Sequence, residues 1–223
     1  SNFDASWFDP QRWISAGASE GTAPGRGSTL FFTVDGQRAA LRHYQRGGLM
    51  AKLSADRFFF TSELATRPFR EFHLTWQLYS RGLPVPAPVA CRYLRDGAAY
   101  RADLITVRIA GSESLAARLR ADAVALSAWV AIGRCIRRFH DIGAWHADLN
   151  AHNVMLVGDA GVYLLDFDRG RMRRPGLWAD GNLVRLRRSL EKIADQLPST
   201  RFTETDWHSL LVGYRDSSAR AGS

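Results

Sequence analysis

Lysine is nearly missing from this sequence of 223 residues: of thirty basic side chains only Lys52 and Lys192 are lysines, and the rest are arginines. Cysteine is as scarce. Cys91 and Cys135 stand alone and far apart, which excludes a disulfide framework and a cysteine-based metal site. No run approaches the roughly 18 unbroken apolar residues of a membrane span. The opening Ser1-Asn2-Phe3-Asp4 has neither a basic nor an apolar lead, so no secretory leader is expected and a reducing, cytoplasmic setting is the default. Internal repeats and low-complexity linkers are also absent, which excludes solenoids and arrays.

What is present is the balance of a globular chain, 46% apolar and 23% charged, long enough for one large domain or two small ones. Thirty Lys+Arg against 22 Asp+Glu leave a net charge of +8. Nucleic acid, an anionic membrane surface or a phosphorylated ligand would each suit that excess. A genome that writes Arg for Lys would give the same arginine bias with no function attached. No nucleic-acid recognition motif accompanies the charge, so no nucleic-acid partner is expected.

The chain changes character near residue 110. Thr29 to Val34 suits a strand, Asp35-Gly36 a hairpin turn, and Gln37 to Tyr44 the returning strand. Apolar residues between Arg70 and Arg81 keep helical period until Gly82, and Leu83-Pro84-Val85-Pro86-Ala87-Pro88 forbids continuation. Leu104 to Ile109 reads as a buried strand closed by Gly111. Beyond it come a helix within Asp122 to Asp141, short strands at Val154 to Val157 and Val162 to Phe167, and an amphipathic helix over Leu183 to Leu197. A last helix starts at the Thr203-Glu204-Thr205-Asp206 capping sequence.

Chemistry concentrates in His146-Ala147-Asp148-Leu149-Asn150-Ala151-His152-Asn153, followed by Asp166-Phe167-Asp168. Phosphoryl transfer needs an acceptor that orients the attacking hydroxyl and oxygen ligands that hold Mg²⁺ on nucleotide phosphates. Asp148 can orient the hydroxyl, while Asn153 and Asp166 can supply metal oxygens; a loop and short hairpin would bring all three to one wall of a cleft. The competing reading is a buried histidine beside a solvated Asx-rich turn.

The segment resembles the protein-kinase signature H-R-D-L-x-x-x-N followed by D-F-G, matched at His146, Asp148, Leu149, Asn153, Asp166 and Phe167. The eighteen-residue step from Asp148 to Asp166 is also the one that fold uses. Ala147 stands where the signature has Arg, Asp168 replaces its last Gly, and no A-P-E segment follows. These departures point away from protein substrates and toward the small-molecule and lipopolysaccharide branch.

The resemblance implies an α+β, bilobal protein-kinase-like fold: one domain, with a small strand-rich N-lobe over residues 1–108 and a mostly helical C-lobe over 109–223. It also implies ATP and Mg²⁺ as cofactors. Gly25 and Gly27, ahead of the hairpin, can fold over phosphates, though on their own they read first as a plain flexible loop. The family's phosphate-gripping lysine lies two residues after an alanine, and here Ala40-Leu41-Arg42 puts an arginine there; Lys52 is the alternative. Glu71 is the candidate ion-pair partner on the first helix, against the reading of an ordinary solvated first-turn acid.

Further segments extend the resemblance. Leu41 to Gly48, Arg67 to Phe72, Gly82 to Pro88, Asp166 to Arg171 and Asn182-Leu183-Val184-Arg185-Leu186 are similar to the 3-deoxy-D-manno-octulosonic acid (Kdo) kinase family, from about Gly25 to Leu190. That likeness implies phosphorylation of a Kdo hydroxyl, the 4-OH, on Kdo-lipid IVA at the cytoplasmic face of the bacterial inner membrane. Eight basic against two acidic residues between Arg169 and Lys192 suit a peripheral enzyme on an anionic membrane, or simply a solvated helix face. Phe58-Phe59-Phe60 would touch acyl chains or sit in the core. A soluble aminoglycoside- or choline-type phosphotransferase and a non-catalytic pseudokinase binding anionic lipid are the alternatives.

Overall fold

A two-residue turn sets the first sheet. Asp35 and Gly36 both take positive φ, 48° and 73°, which lets the strands on either side keep their twist. The computed structural model describes residues 3–23, 29–45, 56–197 and 201–216. Within them the turn joins β2 (Thr29–Val34) to β3 (Gln37–His43), paired from Thr29↔Arg42 to Val34↔Gln37. β1 (Ser19–Ala23) lies outside β2, and β4 (Phe58–Phe59), β5 (Pro88–Asp96) and β6 (Ala99–Val107) complete an antiparallel sheet of order β1-β2-β3-β6-β4 with β5 on β6.

The alternation of β2 and β3 turns Leu30, Phe32, Ala39 and Leu41 to one face, where they pack with Ile105 and with Trp7, Phe8 and Trp13. Those aromatics come from a 3-10 turn at Ala5–Phe8 and from α1 (Pro10–Ser15). Trp13 stacks on Phe32 at 4.1 Å and its indole nitrogen donates to the Trp7 carbonyl at 2.9 Å. The stretch before Ser19, unmatched at the level of motifs, therefore gives Trp7, Phe8 and Trp13 to the core.

α2 (Arg67–Ser80) follows, and its chain-reversing end at Gly82 has the positive φ of 71° that the stop required. Two compact units result, Ser1–Trp76 with Pro86–Ala110, and Gln77–Val85 with Gly111–Ser223. The first is strand-rich and the second mostly helical, the α+β, two-lobed class that the kinase resemblance implies. The long connection breaks at Ala110, and residues 77–85, expected within the N-lobe, group with the second unit. There the Leu164 amide donates to the Pro84 carbonyl at 3.0 Å, and Arg138 Nη2 to the Gly82 carbonyl at 2.8 Å.

The second unit holds α3 (Leu115–Ala121), α4 (Leu126–Asp141), α5 (Trp178–Ala194) and α6 (Glu204–Arg215). Between α4 and α5 run β8 (Ala144–Trp145), β9 (Val154–Val157), β10 (Gly161–Leu164) and β11 (Arg171–Met172); β7 (Glu113–Ser114) pairs with β9. Where α4 meets α6 the backbones nearly touch. A Cβ added at Gly133 would lie 1.9 Å from the Leu210 carbonyl oxygen, and one at Gly213 would lie 2.0 Å from that of Val130. α6 opens on the expected capping box between Thr203 and Asp206.

The strand expected over Val162 to Phe167 ends at Leu164 and the helix expected over Leu183 to Leu197 runs Trp178–Ala194, and three further differences have a physical reason. β5 was masked in the sequence by the prolines before it, yet Pro88 is its first residue and β5 is an edge strand, where proline is tolerated. The helix expected from Asp122 starts only at Leu126, because α3 ends at an extended Asp122. The aromatic run divides: Phe58 is buried, Phe60 stacks on Tyr93 at 5.5 Å, and Phe59 is 71% exposed.

Candidate active site

The loop His146 to Asn153 is held from inside. His146, buried, donates through Nε2 to the Leu165 carbonyl at 2.8 Å and accepts at Nδ1 from the Asp148 amide at 3.1 Å. One donor and one acceptor define the neutral imidazole. Burial pushes its pKa down, which keeps the ring neutral. Its face lies 4.7 Å from the ring of Phe167, which stacks in turn on Phe139 at 5.6 Å.

Asp148 is thereby turned outward, its side chain 49% exposed. Asn153 donates through Nδ2 to the Asp148 carbonyl at 2.9 Å, and Asn150 does so at 3.1 Å. With its amide nitrogen tied down, Asn153 presents its Oδ1. The Leu165 amide donates to the Asn153 carbonyl at 2.9 Å, so Asp166 emerges directly beside that asparagine. Asp166 is exposed and holds φ at +60°, a conformation costly for a non-glycine residue and typical of functional turns. Its carboxylate accepts from the Asp168 amide at 3.4 Å. The structure thus brings Asp148, Asn153 and Asp166 together in one unit.

Two hard oxygens, an amide and a carboxylate, are the donors Mg²⁺ takes alongside water. Among the described residues no cluster of three or more His, Cys, Asp and Glu side chains competes for a metal. The two cysteines do not pair, and burial raises both thiols to about 12.

One stripe of α5 fastens the loop. Asn182, Arg185 and Ser189 recur at helical steps of three and four and so share a face. Asn182 Nδ2 donates to the His146 carbonyl at 2.7 Å and its Oδ1 accepts from the His146 amide at 3.3 Å. Ser189 Oγ accepts from the Ala151 amide at 3.2 Å, and Arg185 Nη1 donates to Asp148 Oδ1 at 3.2 Å. From the sequence, Arg185 has a role only as part of the basic stretch from Arg169 to Lys192, and Asn182 and Ser189 have none. Their signal is visible in retrospect as polar residues spaced along an otherwise apolar helix face.

In the first unit, Arg42 on β3 donates through Nη2 to Glu71 Oε2 on α2. Glu71 is only 4% exposed, which removes the reading of a solvated first-turn acid. Tyr44, also missed from the sequence, donates its hydroxyl to the same carboxylate oxygen at 2.5 Å, and the Arg42 guanidinium lies 4.6 Å over its ring. Gly25, Gly27 and Lys52 lie outside the described residues.

A strand-rich unit with an Arg–Glu pair whose acid is buried and a helical unit with an Asp–Asn–Asp loop define the class, a protein-kinase-like phosphotransferase. Residues 10–214 match the Lipopolysaccharide kinase (Kdo/WaaP) family. The chain is 44% identical over 217 residues to a 3-deoxy-D-manno-octulosonic acid kinase of Actinobacillus succinogenes, covering 94% of this chain and 90% of that one. A protein of the same name from Haemophilus influenzae (strain PittEE) is 40% identical, with 96% and 94% covered. Another from Vibrio vulnificus (strain CMCP6) is 38% identical, with 95% and 93% covered. This chain belongs to the lipopolysaccharide kinase (Kdo/WaaP) family and is a kinase with an alcohol group as acceptor. The match begins at residue 10, well before the Gly25 at which motif resemblance started.

Proposed function

We propose that this kinase transfers the γ-phosphoryl group of ATP to the 4-hydroxyl of the Kdo sugar on Kdo-lipid IVA, with Mg²⁺, at the cytoplasmic face of the inner membrane. The substrate reading rests on the relatives' shared name and near full-length similarity. The observation that supports the chemistry is the tie from Asn153 Nδ2 to the Asp148 main-chain carbonyl, which keeps the Asn153 side chain next to Asp148.

Asp148 accepts a hydrogen bond from the acceptor hydroxyl and aims its lone pair at phosphorus; as the new P–O bond forms and the bond to ADP breaks, the proton passes to Asp148. Asn153 and Asp166 would hold Mg²⁺, which when bound neutralises phosphate charge. Arg42 would grip nucleotide phosphates, pointed by Glu71 and Tyr44. An Arg can do this bidentately where the signature has a lysine. Lys52, Gly25 and Gly27 remain the flanking candidates for nucleotide contact.

Membrane attachment is supported by side chains on both units. Leu177, 87% exposed, opens α5 next to exposed Arg171, Arg173 and Arg174, and Phe59 projects from the first unit. No helix among the described residues is long and apolar enough to cross a membrane. Arginines near an anionic surface contribute about 1 kcal/mol each, screened by salt.

Incubating the protein with ATP, Mg²⁺ and Kdo-lipid IVA tests this directly. The product gains one phosphate, located on the Kdo 4-oxygen. Turnover of a soluble aminoglycoside or choline with none of Kdo-lipid IVA would overturn the substrate.

A further inference from the structure

Of the three α5 side chains that touch the catalytic loop, two grip backbone and fix its shape. Arg185 alone reaches a side chain, the carboxylate that orients the acceptor hydroxyl, and it does so while 55% exposed. A half-exposed ion pair of this kind contributes little to folding and exchanges partners readily. It is poorly explained as a structural strut beside the buried bonds of Asn182.

Its position has a chemical consequence. The loop from His146 to Asn153 contains no lysine or arginine, so the cation at the reacting carboxylate arrives from α5. Any acceptor that places its hydroxyl on Asp148 lies within reach of that guanidinium. On the reading proposed above, on which this inference rests, the acceptor is a sugar acid whose own carboxylate sits a short span of ring away from the hydroxyl. Without a cation between them, acceptor carboxylate and Asp148 would repel. A guanidinium matches carboxylates in a planar fork and can bridge both.

We propose that Arg185 is a specificity-determining residue that grips the carboxylate of the sugar-acid acceptor, with Asp148 occupying that grip in the absence of substrate. The proposal separates two acceptors that differ only in charge: Kdo-lipid IVA and its carboxamide analogue, in which the sugar carboxylate is neutral.

The experiment measures kcat and KM for both acceptors, in detergent micelles, with the wild-type chain, Arg185→Gln and Arg185→Lys. The wild type is expected to prefer the carboxylate by about 30-fold in kcat/KM, the weight of one charge-assisted hydrogen bond. Arg185→Gln should lose that preference, raising the KM of the carboxylate acceptor far more than that of the carboxamide while the ATP KM stays the same; Arg185→Lys should recover part of the preference. An unchanged thermal midpoint and Mg²⁺-ATP binding establish that the variants fold. Equal loss of kcat on both acceptors would overturn the proposal, assigning Arg185 to Asp148 or to the moving phosphoryl group, and so would no loss on either. Wild-type turnover of Kdo-lipid IVA is the control: its absence overturns the substrate reading and this assignment together.

Discussion

Asn182 and His146 exchange two hydrogen bonds, side-chain nitrogen to carbonyl at 2.7 Å and amide to side-chain oxygen at 3.3 Å, and both residues are buried. The pair joins α5 to the start of the loop from His146 to Asn153 and satisfies both backbone groups of His146. Removing the amide by Asn182→Ala strands a buried N–H and C=O, at a cost of about 2–4 kcal/mol. Urea unfolding should show that loss together with reduced kcat. A variant as stable as the wild type would show that the pair does not anchor the loop.

Arg42 predicts a coupled kinetic defect. Because Arg42 is paired with buried Glu71, Arg42→Ala should raise the ATP KM and lower kcat together, with partial rescue by Arg42→Lys. Tyr44→Phe, which removes one of the hydrogen bonds to Glu71, should show a milder version of the same phenotype. A silent Arg42→Ala beside a crippled Lys52→Ala would transfer the phosphate grip to Lys52.

Two histidines pull acid stability in opposite directions. Burial pushes His140 down to about 4, and its Nδ1 lies 2.7 Å from the Tyr214 hydroxyl. A neutral buried histidine contributes stability that is present above the unfolded value near 6.5 and lost as pH falls toward 4, about 2–3 kcal/mol in all. His43 is pulled up chiefly by its hydrogen bond to Asp103, so its contribution is full below about 6.5 and fades as pH rises through its folded value. The difference in unfolding free energy between wild type and His140→Gln should therefore shrink between pH 6.5 and 4.5. A pH-independent difference would contradict a buried neutral His140.

The crossing of α4 and α6 allows no side chain. Gly133→Ala or Gly213→Ala would drive a methyl group into a backbone carbonyl, and each should destabilise by about 3 kcal/mol or more. Thermal unfolding checks this. An alanine variant within a degree of wild type would mean the helices separate freely.

Much of this was legible in the sequence because it was local. The Asp35-Gly36 turn and the Thr203 capping box are written in neighbouring residues, and the described structure forms both. Pairings between distant segments were not. The first core aromatics, Trp7 and Trp13, carry no motif and acquire their role only by packing against Phe32 on a later strand, Trp7 edge-on and Trp13 stacked. Tyr44 follows β3 without distinction until α2 delivers Glu71 to its hydroxyl. Arg185 reads as one basic residue among eight in a charged stretch, and only the fold singles it out by laying it on Asp148.

On the proposed mechanism Asp148 serves the acceptor and Asp166 the metal, and paired substitutions separate the two roles. Turnover of Kdo-lipid IVA and Mg²⁺-dependent ATP binding would be measured for Asp148→Asn and Asp166→Asn. Asp148→Asn should bind Mg²⁺-ATP normally while losing about 10²–10⁴-fold in kcat, the range a positioned base supplies. Asp166→Asn should lose the Mg²⁺-dependent part of ATP binding as well as turnover. Near-normal rates in both variants would contradict the assignment of this loop as the site of phosphoryl transfer.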